Sequence, residues 1–552
     1  MAYRRSETPF ATPITRARFI GGAFALISTG GLLAACGGAE KKGEGATSST
    51  VGTTTDGKTP AAPSKLRVRL TQPQMNLDAA LIISQSDLEL VFNIYEGLLT
   101  YKPGSFELVN SLAEEFKSSD DGLTHTFKLK EGVPFHGDYG EVTAEDVKFS
   151  YERIAGLTKP KIEAPFQNQW AALRELKLTG TYTGTILLKE PFGPLTTLTL
   201  PIFSGLIVSK RAVEERGKDF RRKPIGTGPY EVAEYVANQR VVLKRFSDHG
   251  GALDGYAARP IWDEIACTVI VEDSVAEIAL ETNEIAYGLI PLSSVERFQQ
   301  NKDFTVVETP SLYYEWLSMN VQHPKLRDIR VRQAIRSAID VPSIIEAAYE
   351  GKATQAYAIV AAGMPVGFWK DAPRYERDVE KAKSLLDQAG IKSLDLELAV
   401  TNTEIFRAVA QVIQANLADV GINININTLD DASFNEIQMG DKALSNLQLA
   451  YVSYGASPDP GGSTIWFTCE QVKVWNYMEW CNPEFDRLHA EALQELDPTK
   501  RTDLYIHMQQ LMDEDAVAVW VAHPNRYTAS KANIKQSIYP DADPLYWAFT
   551  AA

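Results

Sequence analysis

Residues 86–101, SDLELVFNIYEGLLTY, carry the clearest structural signal in the chain. Ser86 and Glu89 have the spacing at which two side chains satisfy the free backbone amides at the start of a helix. Apolar residues follow at alternate positions, and Gly97 is the type of residue that commonly ends a helix. The stretch therefore predicts a helix that begins at Ser86 and ends near Gly97, with a strand directly after it.

Two further signals follow in the next fifty residues. Residues 120–122 are Asp-Asp-Gly and separate the segments 116–118 and 123–129, so they predict the turn of a β-hairpin. Residues 143–146 are Thr-Ala-Glu-Asp and predict the start of a second helix, because the apolar residues after them share one helical face. Those apolar residues are Val147, Tyr151 and Ile154.

Several short segments of the chain resemble family 5 of the solute-binding proteins of ABC importers. In this region they are NIYEGL (93–98), SDDGLT (119–124), FHG (135–137) and VTAEDV (142–147). A second match lies further on and consists of YYEWLSMN (313–320) and DIRVRQAI (328–335). The segments are unrelated to one another and follow the family's order, so the resemblance is specific. Members of this family capture peptides, nickel complexes, opines and some sugars outside the cell.

The resemblance implies an α/β fold of the periplasmic-binding-protein-like type II, with two lobes joined by a hinge and an extra subdomain in the first lobe. It assigns residues 65–311 to lobe I, with the inserted subdomain at about 108–200. It assigns residues 312–520 to lobe II and residues 521–552 again to lobe I. The order strand, helix, strand across residues 394–426 separately predicts parallel strands in the second lobe.

Composition narrows the possible functions. The chain has 552 residues, enough for two or three domains with large cores, and its apolar content of 44% is typical of a folded soluble protein. Its net charge of −16 disfavours nucleic-acid binding, because phosphates would be repelled. The seven histidines and four cysteines form no metal-ligand motif, so neither a metal site nor a cofactor is expected.

Residues 1–36 predict an export signal. Several arginines precede the uncharged run 19–35, which is too short and too rich in glycine for a permanent membrane span of roughly 20 residues. Leu-Ala-Ala-Cys at 33–36 resembles a bacterial lipobox, so Cys36 is expected to carry lipid; the alternative is a cysteine that follows an ordinary signal peptide. Residues 37–64 have almost no large apolar residue and predict a flexible tether. The protein is thus expected to be exported and lipid-anchored to the cell membrane, facing the periplasm or the outside.

The resemblance places candidate ligand-binding residues on several segments. The loop after the first predicted strand lines the cleft in the family, although an ordinary exposed loop is the alternative. The main ligand-reading loop of the family follows the predicted strand 446–454. Plain packing is the alternative for the tryptophan at 475. The candidates are Gln72, Gln74, Met75, Trp316, Tyr454, Gly455, Ala456 and Trp475.

The cysteines and the binding loop carry two more expectations. Cys469 and Cys481 lie 12 residues apart, and export favours a disulfide that would contribute roughly 3 kcal/mol, against the alternative of two unpaired thiols. Peptide-binding members of the family have an aspartate three residues before the acidic residue of the acidic-Pro step. Here that position is Ala456, and Asp459 before Pro460 is of the type that fixes a turn. We therefore expect no salt bridge from this loop to the amino terminus of a short peptide.

The expected function is that of the extracytoplasmic substrate-binding protein of an ABC importer, which captures a peptide or peptide-like solute and passes it to the permease. One alternative is the same role for an opine, a nickel chelate or an oligosaccharide. Another is an exported lipoprotein hydrolase, but no nucleophile or metalloprotease motif occurs in a catalytic context, so no catalytic residue is assigned. The expected partners are the ligand, the permease subunits and the membrane, and the protein is expected to be a monomer.

Overall fold

The computed structural model describes residues 64–552, except for 75, 83, 250–259, 431–432, 435–445 and 540–541. The predicted signal peptide, Cys36, nearly all of the tether, and Met75 therefore lie outside the described residues. Within the described part of the chain, none of the helices has the length and apolar character needed to cross a membrane.

Strands and helices are numbered in chain order. The strands are β1 (Lys65–Leu70), β2 (Leu99–Tyr101), β3 (Leu108–Asn110), β4 (Ala113–Ser118), β5 (Thr124–Leu129), β6 (Leu173–Leu178), β7 (Thr183–Leu188), β8 (Tyr230–Val236), β9 (Arg240–Arg245), β10 (Glu264–Val269), β11 (Tyr287–Leu289), β12 (Phe304–Pro310), β13 (Tyr314–Met319), β14 (Ala353–Gln355), β15 (Leu394–Thr401), β16 (Ile422–Leu429), β17 (Leu449–Tyr454), β18 (Ala518–Lys531), β19 (Ile534–Lys535) and β20 (Thr550–Ala551). The α-helices are α1 (Gln85–Ile94), α2 (Ala144–Ile154), α3 (Lys210–Arg216), α4 (Asp273–Glu281), α5 (Val295–Gln300), α6 (Ile329–Ala338), α7 (Val341–Tyr349), α8 (Val379–Gln388), α9 (Glu404–Ala418), α10 (Gly461–Thr464), α11 (Pro483–Gln494) and α12 (Pro498–Glu514).

One long strand joins the two halves of the main sheet. The sheet has the order β16-β15-β17-β13-β18-β11-β1-β10-β9-β8, and β12 and β14 also pair with β18. The first residues of β18 pair with β13, and its last residues pair with β11 and β12. We call the half that contains β1 and β8–β12 lobe I, and the half that contains β13–β17 lobe II. β18 therefore passes directly from lobe II into lobe I, as expected for a two-lobed type II fold.

Lobe II contains the predicted parallel strands. β15 pairs in parallel with β16 along its whole length and with β17 near its end. Helix α9 connects β15 to β16 and buries its apolar face, which includes Val409, Ile413 and Leu417, in the lobe II core. This arrangement confirms the order strand, helix, strand that the sequence predicts.

A separate four-stranded sheet with the order β4-β5-β7-β6 belongs to the lobe I side. β4 and β5 form the predicted hairpin, and Gly122 in its turn has a φ of 65°, a conformation that glycine adopts without strain. The start of α2 is also as predicted, because the carboxylate of Asp146 accepts a hydrogen bond of 3.0 Å from the backbone N–H of Thr143.

The predicted ends of the first helix are wrong at both sides. α1 begins one residue earlier, because Ser84 is its N-cap and accepts a hydrogen bond of 3.1 Å from the backbone N–H of Asp87. Ser86 is buried and accepts from the backbone N–H of Gln72 instead. The helix ends at Ile94, so Gly97 does not cap it. Gly97 is needed for a close approach, since a Cβ there would lie 2.8 Å from the carbonyl oxygen of Gly205.

Candidate ligand-binding site

A cavity of about 460 Å³ is lined by residues of both lobes. Most of the lining is apolar or aromatic, which is typical of sites for small molecules. On the lobe I side the lining residues are Gln72, Leu88, Pro165, Phe166, Asn168, Gln169, Phe192, Leu198, Ile202, Phe203 and Asp543. On the lobe II side they are Tyr313, residues 453–458, Gly461, Gly462, Ile465, Trp466, Trp475, His489 and Leu493.

The binding loop of lobe II lies where strand β17 ends. In open α/β sheets, ligands bind beyond the carboxyl ends of the strands, and β17 runs parallel to its neighbour β15. Residues 453–458 span the last two residues of β17 and the start of the loop that leads to α10. The local fold thus brings Tyr454, Gly455 and Ala456 to the cavity wall.

An aromatic cluster supports this wall. The ring of Tyr454 makes edge contacts with Trp316, at a centroid distance of 4.9 Å, and with Trp475, at 6.5 Å. The Tyr454 hydroxyl also donates to the backbone carbonyl of Trp475. Trp316 is fully buried and stacks on Tyr314 at 5.3 Å. Trp316 therefore packs against Tyr454 without reaching the cavity.

The sequence candidates separate into two groups in the structure. Those that line the cavity are Gln72, Tyr454, Gly455, Ala456 and Trp475. Gln74 and Trp316 do not line it. The side chain of Gln74 is directed into the protein and is 2% exposed, and Trp316 lies on a strand that is covered on both faces. Met75 lies outside the described residues.

Sequence reasoning missed the aromatic residues that lobe I contributes. Phe166, Phe192 and Phe203 all line the cavity, but they come from segments between the strands of lobe I. In the sequence their surroundings do not differ from those of core phenylalanines. On the lobe II side, Trp466 was missed although it lies only ten residues from the binding loop.

A disulfide joins Cys469 to Cys481, with the two Cα atoms 4.5 Å apart. The closed loop contains Trp475, so the bond restrains the segment that carries this lining residue. Cys267 lies in β10, is fully buried and forms no disulfide with any described cysteine. Burial raises the pKa of its thiol well above the usual value, which agrees with a structural role in the core.

The carboxylate of Asp459 is fully buried and already occupied. Both its oxygens accept hydrogen bonds of 2.8 Å from the guanidinium of Arg501. The hydroxyl of Thr197, from the lobe I side, donates to the same carboxylate at 2.5 Å. Burial acts to raise the pKa of Asp459, but Arg501 and the hydrogen bonds outweigh it and hold the pKa below its usual range. Asp459 therefore stabilises the loop and the contact between lobes.

The cavity wall itself carries little charge. Asp543 is 2% exposed and forms an ion pair of 3.2 Å with the partly buried guanidinium of Arg526. His489 is hydrogen-bonded to Thr464, and burial lowers its pKa to about 4, so its ring is neutral at pH 7. No lysine or arginine occurs among the described lining residues. The described residues also contain no cluster of three or more side chains suited to a metal ion.

Comparisons with known proteins agree on one family. The family model described as bacterial extracellular solute-binding proteins, family 5 Middle, matches residues 107–473. The dipeptide-binding protein of Escherichia coli (strain K12) is 29% identical over 479 residues, which cover 82% of this chain and 87% of that relative.

Solved structures show the same fold. The binding protein DppA from Helicobacter pylori, in complex with the peptide STSA, aligns with a TM-score of 0.72 and 24% identity, covering 89% of this chain and 98% of that one. MoaA from A. tumefaciens R10, in complex with mannopinic acid, also aligns with a TM-score of 0.72 and 24% identity, covering 89% and 100%. Since the family model matches well over half of the sequence, the chain belongs to the family 5 bacterial extracellular solute-binding proteins.

Proposed function

We propose that this protein is the extracytoplasmic substrate-binding protein of an ABC importer, and that it captures a peptide or peptide-like solute and delivers it to a permease. The observation that carries the proposal is a cavity of about 460 Å³ with walls from both lobes. A solute that contacts both walls stabilises the closed arrangement, because its affinity for that arrangement exceeds its affinity for the open one. The name of the Escherichia coli relative supports a peptide as the ligand.

The same role for a non-peptide solute is the second candidate. It is supported by Ala456, which offers no carboxylate to a peptide amino terminus, and by Asp459, whose carboxylate is occupied by Arg501. The structural neighbour in complex with mannopinic acid carries an opine-type ligand on this fold. We propose no catalytic role for any residue.

We propose that the protein acts on the outer side of the cell membrane. It is a monomer, and lipid on Cys36 anchors it to the membrane. Its support is the lipobox-like sequence before Cys36 and the predicted tether after it. A Cys36→Ser variant is expected to be released from washed membranes into the soluble fraction, because serine has no thiol to which the lipid can be attached. Retention of this variant on membranes, measured by immunoblot, would contradict the anchor.

A ligand screen tests the proposed function. The mature chain with Cys36→Ser is heated with short peptides, opines, nickel–histidine chelates and oligosaccharides. A true ligand at 100 times its dissociation constant is expected to add about 2.7 kcal/mol to the free energy of unfolding. Tyr454→Ala and Trp475→Ala are each expected to weaken binding of that ligand by about 10-fold or more, because aromatic side chains dominate the energetics of such sites.

Phe368→Ala is the matched control for these two variants. Phe368 is an exposed aromatic residue outside the cavity lining, so its loss should leave ligand affinity unchanged. If no solute class raises the melting temperature, the binding function is wrong. If a ligand binds but neither cavity variant weakens it more than the control does, the site is wrong.

A further inference from the structure

We infer that the cavity selects an uncharged, predominantly apolar solute. This inference rests on the proposed solute-binding function and narrows its ligand to peptide-like or other solutes without charged ends, so that free short peptides are disfavoured. It is carried by three features of the cavity: aromatic surfaces on both walls, the absence of basic residues from the described lining, and the ion pairs already made by Asp459 and Asp543, the acidic residues described at or beside it.

The aromatic surfaces come from both lobes. Phe166 and Phe203 pack together on the lobe I side, with ring centroids 4.3 Å apart. Trp466 and Trp475 make an edge contact of 5.8 Å on the lobe II side. Aromatic rings of this kind offer large contact area at low entropic cost. A ligand with apolar groups at both ends therefore gains contact with each lobe and favours closure.

A ligand carboxylate has no basic partner among the described lining residues. The buried guanidinium of Arg501 is bound bidentately by Asp459, and the partly buried guanidinium of Arg526 pairs with Asp543 at 3.2 Å and with Glu89 at 3.6 Å. Removing an ion from water costs several kcal/mol unless an opposite charge compensates it. The cavity therefore disfavours anions and the carboxylate end of a zwitterion.

The cavity also disfavours an ammonium group on the ligand. Asp543 is the only carboxylate among the described lining residues; it is 2% exposed and already pairs with Arg526, which also lies 3.6 Å from Glu89. His489 is neutral and bonded to Thr464. The remaining polar groups are uncharged, and the Oδ1 atom of Asn168 is shielded from solvent and accepts no hydrogen bond from the described residues. A neutral N–H or O–H donor on the ligand would satisfy this atom.

Two dyes that differ by one charge test the inference. N-phenyl-1-naphthylamine is neutral, and 1-anilinonaphthalene-8-sulfonate is the same molecule with a sulfonate added. Fluorescence titration of the full mature chain with Cys36→Ser is expected to give 1:1 binding of the neutral dye. Its affinity should exceed that of the sulfonate by about 100-fold, because the sulfonate must shed its water without a partner.

A variant with an added cation locates this preference in the cavity. Ala456→Lys is expected to lower the affinity for the neutral dye and raise the affinity for the sulfonate. The ratio of the two affinities should therefore fall or reverse. Ala415→Lys is the matched control, since Ala415 is exposed on α9 and outside the lining, and the ratio should not change. Circular dichroism checks that both variants are folded.

Each possible result of the dye experiment either supports or overturns the inference. Tighter binding of the sulfonate, equal binding of the two dyes, or binding of neither dye to the unsubstituted chain would overturn the inference. A ratio that responds equally to both lysine variants would also overturn it, because the preference would then not arise in the cavity. The ligand screen judges the transport role separately: a charged solute that binds tightly in the cavity there would support that role and overturn the inference of an uncharged ligand.

Discussion

Replacement of the buried Arg501 with methionine is expected to lower the free energy of unfolding by about 3–5 kcal/mol. The guanidinium donates to both oxygens of Asp459 at 2.8 Å, and both side chains are buried. Without Arg501, the Asp459 carboxylate would keep only uncharged donors among the described residues, including the hydroxyl of Thr197 and the backbone N–H of Gly461 at 2.9 Å. A buried charge that loses its counter-ion is costly, and chemical denaturation measures that cost as a shift of the midpoint.

Arg487→Met is the matched control for this prediction. Arg487 is also a helical arginine that pairs with two carboxylates, Glu484 and Glu491, but all three side chains are largely exposed. Exposed pairs contribute little because solvent screens them, so this variant should lose only a small fraction of the stability that Arg501→Met loses. The double replacement Asp459→Leu with Arg501→Met should recover part of the loss, since no unpaired charge remains. Equal losses for the two arginine variants would refute the argument.

The same ion pair connects stability to ligand capture. Thr197 belongs to the lobe I side, where its neighbours Leu195 and Leu198 pack in the core with α1, whereas Asp459 and Arg501 belong to lobe II. The hydroxyl of Thr197 can reach Asp459 only when the lobes are close together. The Asp459–Arg501 pair therefore holds an acceptor in position for a contact that depends on closure.

The sequence predicted those parts of the fold that depend on local chemistry. The turn at 120–122 and the cap at Thr143 follow from residue types over three or four positions, and the structure confirms both. The start of α1 was misplaced because Ser84 and Ser86 are both suitable caps. The choice between them depends on the distant loop at Gln72, whose backbone N–H binds the hydroxyl of Ser86.

Most of the predicted residues that line the cavity lie on the lobe II side, and Gln72 is the one predicted residue among the described lining residues of lobe I. The end of strand β17 marks the binding loop, so Tyr454, Gly455 and Ala456 followed from the sequence and the family resemblance. Trp316 could not be excluded, because every residue of β13 is buried and alternation along the strand does not tell one face from the other. The rest of the lobe I wall comes from segments that are far apart in the sequence and meet only in the folded chain, so no local pattern identifies them.

Glu315 gives the second large prediction, a stability that depends on pH. This residue lies on β13 and is 6% exposed. The hydroxyls of Tyr349 and Tyr451 both donate to its carboxyl oxygen Oε2, the latter at 3.1 Å. Burial raises the pKa of Glu315 to about 7, and the two hydroxyl groups only partly offset that rise. The folded protein therefore binds more protons at Glu315 than the unfolded chain does between pH 4.5 and 7.

Stability from this residue is fully present below the unfolded pKa of 4.5 and is lost as the pH rises through about 7. The loss should reach about 3 kcal/mol once the carboxyl is ionised. Glu315→Gln does not titrate, so this variant should match the unsubstituted protein near pH 4.5 and exceed its stability by up to about 3 kcal/mol at pH 8. Denaturation at a series of pH values measures the difference.

Three buried histidines, whose pKa values burial lowers to about 4, change the stability with pH in the opposite direction. They are present in both proteins, so their effect cancels in the difference. A difference between the two proteins that does not vary with pH would show that Glu315 keeps an ordinary pKa in the folded protein.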